Sequence, residues 1–240
     1  MNRAMDRPGL VFLHGATLNA GMWEPVAAKF RRDYPVAVPD LPGHGRRAAE
    51  PFAMATAVAT VEATVADLEV SGVVLIGDSL GSYVAIATAS RLGARFKGAV
   101  LGGATARFHG VIPFGQVLRG ALISLFGSRF FRPWLEDKVA NDFQAGRAAV
   151  AGGIRTEAFQ EAVRELRAID FTRLLREIRA PLLFVNGVSD RPHRSGEARS
   201  LAAAPRARLV VMPQVGHGVS LRRPAEFAAL VAEFLGSLPN

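Results

Sequence analysis

Cysteine is absent from all 240 residues, which excludes a disulfide framework, a thiolate metal site and a cysteine nucleophile. Lysine is nearly absent as well, with Lys29, Lys97 and Lys138 the only three. The formal charge of +8 is therefore carried by arginine. Those arginines fall in ones and twos, without aromatic interleaving, zinc-finger spacing or a helix-turn-helix pattern, so no nucleic-acid partner is expected. Long apolar runs are also missing. The N-terminal MNRAMDRPGLVFLHG offers only Leu10–Leu13 before turn residues, too little for the core of a signal peptide. Nothing downstream is long enough to cross a bilayer. The reading is a cytoplasmic protein with no membrane partner. No internal repeat or low-complexity tract stands out.

What is present is a large apolar fraction, 50% of the chain, enough for a sizeable core. Short apolar runs alternate with helical segments. Leu10–Leu13, Val36–Val38, Val73–Ile76, Ala99–Leu101, Leu182–Val185 and Arg208–Met212 read as strands. Ala53–Leu68, Ser79–Leu92, Gly196–Ala203 and Pro224–Leu235 read as helices, the last with proline where its missing N–H costs nothing. Buried strands separated by helices predict an α/β fold, a mostly parallel sheet of about six strands with helices on both faces. Pro35 and Pro39 bracket Val36–Val38 and mark it as a short, exposed edge strand.

Residues 107–171 break the alternation. Phe114, Val117, Leu118, Ala121, Leu122 and Leu125 share one helical face, Phe126, Phe130, Phe131 and Trp134 follow, and a more polar helix spans Thr156–Ala168. This predicts a helical cap inserted into a core formed by residues 1–106 and 172–240.

The chemistry centres on IGDSLGS. A strand, a Gly-x-Ser-x-Gly turn and a helix form a nucleophile elbow, in which Gly77 and Gly81 make room for a strained Ser79 and the helix N-terminus faces any oxyanion that forms. The bland alternative is a βα turn with an N-capping serine. Asp78 reads as a first-turn acid beside the helix dipole. A serine nucleophile needs a base and an orienting acid. Of the five histidines, His217 in QVGHGVS follows the last strand, on the edge of the sheet that carries Ser79. The loop GGATARF offers no carboxylate, whereas NGVSDRP supplies Asp190, for which turn chemistry is the alternative. A second oxyanion donor belongs in the loop after the first strand, where Gly15 permits close approach and the Ala16 N–H would pair with that of Leu80.

Taken together, LHGATLNAGMW, DLPGHG, GDSLG, NGVSD and VGHG, in this order between residues 10 and 235, resemble the α/β-hydrolase superfamily and look most like its small bacterial carboxylesterases. The resemblance implies a serine hydrolase that cleaves a small-molecule carboxylic ester through an acyl-enzyme intermediate. Ser79, His217 and Asp190 would be catalytic, Ala16 and Leu80 the oxyanion hole, and Trp23 and the DLPGHG turn structural supports. It implies no metal and no cofactor, and a monomer is expected. Two departures are visible. The chain leaves no room before Leu10 for the antiparallel strand pair that usually opens the fold, and Arg46-Arg47 stand where a short Gly-x-Ser often follows DLPGHG.

Ser79 argues against haloalkane dehalogenases and epoxide hydrolases, which place aspartate at the elbow. Acyltransferases, perhydrolases and carbon–carbon hydrolases keep the same triad and stay open, as does a non-catalytic ligand-binding protein on this scaffold. For the pocket, Phe114, Leu118, Leu122 and Trp134 are expected to select short to medium apolar acyl groups. Arg46, Arg47, Arg191 and Arg194 are expected to ring the mouth and favour substrates with a remote negative group.

Overall fold

The structure, a computed structural model, describes residues 7–106 and 128–239, without the side chains of 128–131. Six strands form one all-parallel sheet: β1 (Gly9–Leu13), β2 (Val36–Ala37), β3 (Val73–Asp78), β4 (Phe96–Gly102), β5 (Leu182–Gly187) and β6 (Ala207–Met212), in the order β2-β1-β3-β4-β5-β6. The chain moves outward from β1 to β2, then returns to add β3 on the other side of β1. The crevice between the carboxyl ends of β1 and β3 is the switch point at which such sheets bind ligands.

The helices are α1 (Glu24–Ala27), α2 (Met54–Asp67), α3 (Leu80–Leu92), α4 (Ser128–Asp142), α5 (Gly146–Ala151) and α6 (Glu157–Arg167). They continue with α7 (Phe171–Glu177), α8 (Arg191–Arg194), α9 (Glu197–Ala203), α10 (Val219–Arg222) and α11 (Pro224–Gly236).

The period-two alternation of a strand divides the core into two layers. Val11, Leu13, Leu75, Leu101 and Phe184 face one way, onto α2, α3 and α7. Leu10, Phe12, Ile76, Val100 and Val185 face the other, onto Met22, Trp23 and the buried face of α11. There the rings of Phe12 and Phe227 pack on Trp23, with centroids 5.3 and 5.8 Å away. Burying one such phenylalanine stabilises the fold by roughly 2 to 3 kcal/mol.

The strand β2 is only two residues long and pairs through Leu10↔Val36 and Val11↔Ala37. Among the described residues it is an edge strand, no antiparallel pair precedes the sheet, and no helix is long and apolar enough to cross a membrane.

The interval between β4 and β5 is helical where it is described. Its helix α6 does local work on the core. The N-terminus of α2 lacks a side-chain cap of its own, and Glu165 accepts from the Met54 N–H at 2.8 Å while Glu161 accepts from Phe52 at 2.7 Å. A carboxylate satisfies free donors there and complements the helix dipole. Phe114, Leu118 and Leu122 lie outside the described residues.

Candidate active site

β3 ends at Asp78, and α3 begins at Leu80. Between them Ser79 adopts φ 53° and ψ −116°, a conformation that a side chain tolerates only when its surroundings impose it. The surroundings are visible. The Ser79 N–H donates to the Gly102 carbonyl at 2.8 Å, and the Ser82 hydroxyl donates to the same oxygen at 2.9 Å. A Cβ on Gly77 would collide with the backbone of Gly81 and Ser82, and one on Gly81 with the Leu13 carbonyl. The two glycines therefore let the turn close against the ends of its neighbours while one side chain is held outward.

That side chain meets His217. Ser79 Oγ lies 2.9 Å from His217 Nε2, and His217 Nδ1 lies 2.8 Å from Asp190 Oδ2. A carboxylate can only accept, so Nδ1 carries the proton and Nε2 accepts from the serine hydroxyl. The imidazole sits in the loop between β6 and α10, and Asp190 in the turn between β5 and α8. Gly103, at φ 59°, supplies the floor under the ring, where a Cβ would press on His217 Cε1 and Nδ1. The residues singled out from the sequence as Ser79, Asp190 and His217 are thus brought into one hydrogen-bonded chain.

Ala16 lines the cavity above Ser79. The Gly15 N–H is turned aside to Met22 Sδ at 3.4 Å. Leu80 is the first residue of α3, so its N–H has no acceptor within the helix. The loop carrying Ala16 is tied down on both sides. His14 Nε2 accepts from the Leu41 N–H at 2.9 Å, and Asn19 Nδ2 donates to the Ala149 and Gly153 carbonyls at 2.6 and 2.8 Å.

Charge in the site is arranged around the imidazole. Burial works to raise the Asp190 carboxyl, but hydrogen bonds from His193 and His217 outweigh it and hold it well below the usual carboxylate range. Desolvation of His217 works to lower its pKa. The bond to Asp190 and the charges of Asp190 and Asp78 prevail, against Arg222, and raise it above the ordinary imidazole value. Asp78 corrects the expectation of a first-turn acid. It is the buried last residue of β3, and its Oδ2 accepts from both the N–H and the hydroxyl of Ser220. Its Oδ1 is buried without a partner among the described residues, and burial pushes the carboxyl up.

The cavity holds about 240 Å³. Leu18, Met22, Val139, Phe143 and Leu221 make its wall apolar, and Arg222 stands in its lining as the cation. Trp134 is not part of this wall; it is 56% exposed. Val139 lies five positions further along the same helix, about 140° around its axis, and so presents to a different side. Arg46 and Arg47 also stand away from the cavity. Arg46 pairs with Asp40 at 3.1 Å, and Arg47 pairs with Glu50 and donates to Thr60. Arg194 bonds Glu197 and the Val188 carbonyl, and Arg191 is exposed outside the lining.

Arg222 and His193 were not singled out from the sequence. His193 Nδ1 lies 2.8 Å from Asp190 Oδ1, and its ring stacks on His217 with centroids 4.4 Å apart and planes 17° from parallel. The spacing of three residues between Asp190 and His193, on one helical turn, was the available signal. Asp190, His193 and His217 bring their donor atoms within 4.8 Å of one another, as a metal site would. Both Nδ1 atoms already donate to the two carboxylate oxygens, at 2.8 Å each, and a protonated ring nitrogen has no lone pair for an ion. The geometry is that of a hydrogen-bond chain.

Residues 10–230 match the family model described as the Alpha/beta hydrolase family. A pimeloyl-[acyl-carrier protein] methyl ester esterase of Xanthomonas oryzae pv. oryzae is 28% identical, the match covering 97% of this chain and 96% of that one. An esterase of the same name from Neisseria meningitidis is 30% identical over 93% of this chain and 91% of its own. Among solved structures, the enol-lactonase of Burkholderia xenovorans superposes with a TM-score of 0.79 at 20% identity, covering 97% of this chain and 92% of that one. An esterase from Exiguobacterium antarcticum superposes with a TM-score of 0.78 at 19% identity, covering 96% and 92%.

Proposed function

The chain belongs to the α/β-hydrolase family and is an ester hydrolase, and from that premise we propose that it cleaves esters of short to medium apolar acyl groups through an acyl-enzyme on Ser79. The observation that carries the reading is the chain Ser79–His217–Asp190, with links of 2.9 and 2.8 Å, at the foot of an apolar cavity of about 240 Å³.

His217 Nε2 takes the hydroxyl proton as Ser79 Oγ attacks the ester carbonyl, and Asp190 stabilises the imidazolium that results. The N–H groups of Ala16 and Leu80 receive the developing oxyanion, a contribution of about 3 to 4 kcal/mol per donor in other hydrolases. Collapse of the tetrahedral intermediate expels the alcohol, which takes the proton from His217. Water, deprotonated by the same imidazole, then attacks the acyl-enzyme and releases the acid. None of these steps calls on a metal or organic cofactor.

The segment 107–171 acts as a cap, through which Val139 and Phe143 help to bound the acyl group. The names of the curated relatives support a small alcohol, such as methanol, as the leaving group.

Hydrolysis of neutral methyl and aryl esters over a series of acyl lengths tests the reading, together with a fluorophosphonate probe. The expected result is a maximum at short to medium chains, with labelling and turnover both lost in Ser79→Ala. A wild-type protein that neither labels nor turns over any ester would overturn it in favour of a binding protein. Faster acyl transfer to an added alcohol or to peroxide than to water would replace hydrolysis with one of the transfer reactions.

A further inference from the structure

Asp190 presents two oxygens, and each is taken by a different histidine. Oδ2 accepts from His217 and Oδ1 from His193, both at 2.8 Å. The carboxylate and the His193 side chain are 3% and 5% exposed, so water does not substitute readily for either bond. A lone aspartate has a broad preference about its terminal torsion, and one bond to His217 would leave the carboxylate free to swing. The second donor removes that freedom.

The His193 ring also covers one face of His217, with planes 17° apart. The placement of His193 is itself determined. Asp190 N–H donates to Gly187 and Arg194 N–H to Asp190, both at 3.0 Å, which closes the turn and sets the two side chains three residues apart on one side of it.

We propose that His193 is a positioning residue, one that fixes the Asp190 carboxylate so that the base keeps its acceptor. The inference rests on His217 being the base, as the proposed function has it. Four groups act on that ring from four elements: Asp190 from the β5–α8 turn, His193 from α8, Asp78 from the end of β3 and Arg222 from α10. His193 is neutral when the site works. Burial and the neighbouring His217 hold its pKa down, so the proton taken from Ser79 rests on His217 and His193 stays a donor to Asp190.

Three substitutions separate this role from simple packing. Asn in His193→Asn places an amide N–H where ring Nδ1 stood but removes the ring. His193→Phe keeps a ring and removes the donor. In His193→Gln the amide reaches the place of Nε2 and misses Asp190, which provides a second donor-deficient protein should the phenylalanine variant not fold. The readouts are kcat and KM for a neutral short-chain ester, the acid limb of kcat/KM against pH, and the low-field proton resonance of His217 Nδ1.

His193→Phe and His193→Gln are expected to lose kcat on the order of 10- to 100-fold, the scale for groups that orient a functional imidazole, with KM little changed. Their acid limb moves to lower pH, because an imidazolium that loses its carboxylate acceptor is less stable, and the His217 ring proton moves upfield. His193→Asn retains most of kcat and the wild-type limb. An acid limb and ring proton unchanged in both donor-deficient variants would overturn the proposal, as would equal loss in all three. Ester hydrolysis that survives in Ser79→Ala would instead sink the proposed function, and the ring proton would still decide the role of His193.

Discussion

The Cα of Gly81 packs directly against the carbonyl of Leu13, closely enough that any side chain there would overlap the backbone of β1. This contact brings the start of α3 beside the loop that follows β1. It follows from the all-parallel arrangement in which β1 and β3 are neighbours.

Gly81→Ala therefore has nowhere to put its methyl group except against main-chain atoms that cannot move without shifting a central strand. Destabilisation of roughly 3 kcal/mol or more is expected, with loss of ester hydrolysis. Gly236→Ala is the contrast. It lies in the last turn of α11 with nothing near its Cβ position, and should be neutral or stabilise by up to about 1 kcal/mol. Urea unfolding of the two variants checks both values, and similar stabilities would contradict the packing argument.

The base also gives a pH signature. His217 is raised above the ordinary imidazole value, which is about 6.5. Only the neutral ring can take the Ser79 proton, so kcat/KM should fall with decreasing pH through a midpoint above that value. Replacing Arg222 by Gln removes a nearby positive charge and should move the midpoint further up, since the imidazolium is then less opposed. Asp190→Asn should cost on the order of 10⁴-fold in kcat, by the precedent of other serine hydrolases. A midpoint that shifts downward in Arg222→Gln would show that the charge does not act on the ring as placed.

Stability should carry a separate pH dependence from His14. Its ring is wholly buried, accepts from Leu41 and donates to the Gly15 carbonyl. Burial, followed by the neighbouring His44, lowers its pKa to about 3, against smaller opposing contributions from Gly15 and Asp40. The unfolded chain binds a proton below about pH 6.5, and the folded chain does not until near 3. The contribution is thus present above the unfolded value and is lost as pH falls towards the folded one, by roughly 2 kcal/mol between pH 6.5 and 5. His14→Gln keeps an acceptor for the Leu41 N–H and cannot be protonated. Its urea midpoint should vary less with pH across that window than the wild-type midpoint does, and parallel curves would dismiss His14 as the cause.

Much of the frame was legible because buried parallel strands are continuous apolar runs, and each was bounded by glycine, proline or a polar turn. The strands around Val74, Val100 and Leu183 were found this way, although they extend a residue or more beyond their apolar cores. The chain of Ser79, Asp190 and His217 was legible for a topological reason, since loops after parallel strands share one edge of the sheet. Side-chain partners were less so. Arg46 and Arg47 carry the charge expected of a binding rim, but Asp40 and Glu50 lie within reach in the same turn and take them. The wall of the cavity depends on which side of α4 faces inward, and Trp134, aromatic as it is, stands on the exposed side. Asp78 was misplaced by one element because the left-handed Ser79 ends the strand abruptly and delays the helix.

Arg222, and not Arg46, Arg47, Arg191 or Arg194, stands in the lining of the cavity. Its Nε donates to the His217 carbonyl at 2.9 Å, and its guanidinium lies 5.2 Å over the Phe143 ring, which holds the group in the cavity lining. The rest of that lining is apolar apart from Asp78, whose Oδ2 is held by Ser220, and the groups around His217 and the loop after β1. An ester that carries a distal carboxylate should therefore bind with a lower KM than a neutral ester of equal length. For one exposed and partly screened charge pair the advantage is roughly two- to fivefold. Added salt should erode it, because exposed charges are screened over about 10 Å at 0.1 M. Arg222→Gln should abolish the advantage while leaving KM for the neutral ester unchanged. The measurement is KM for the matched pair of esters at two salt concentrations in both proteins. A preference that persists in the variant, or one indifferent to salt, would place the recognition of the remote group elsewhere.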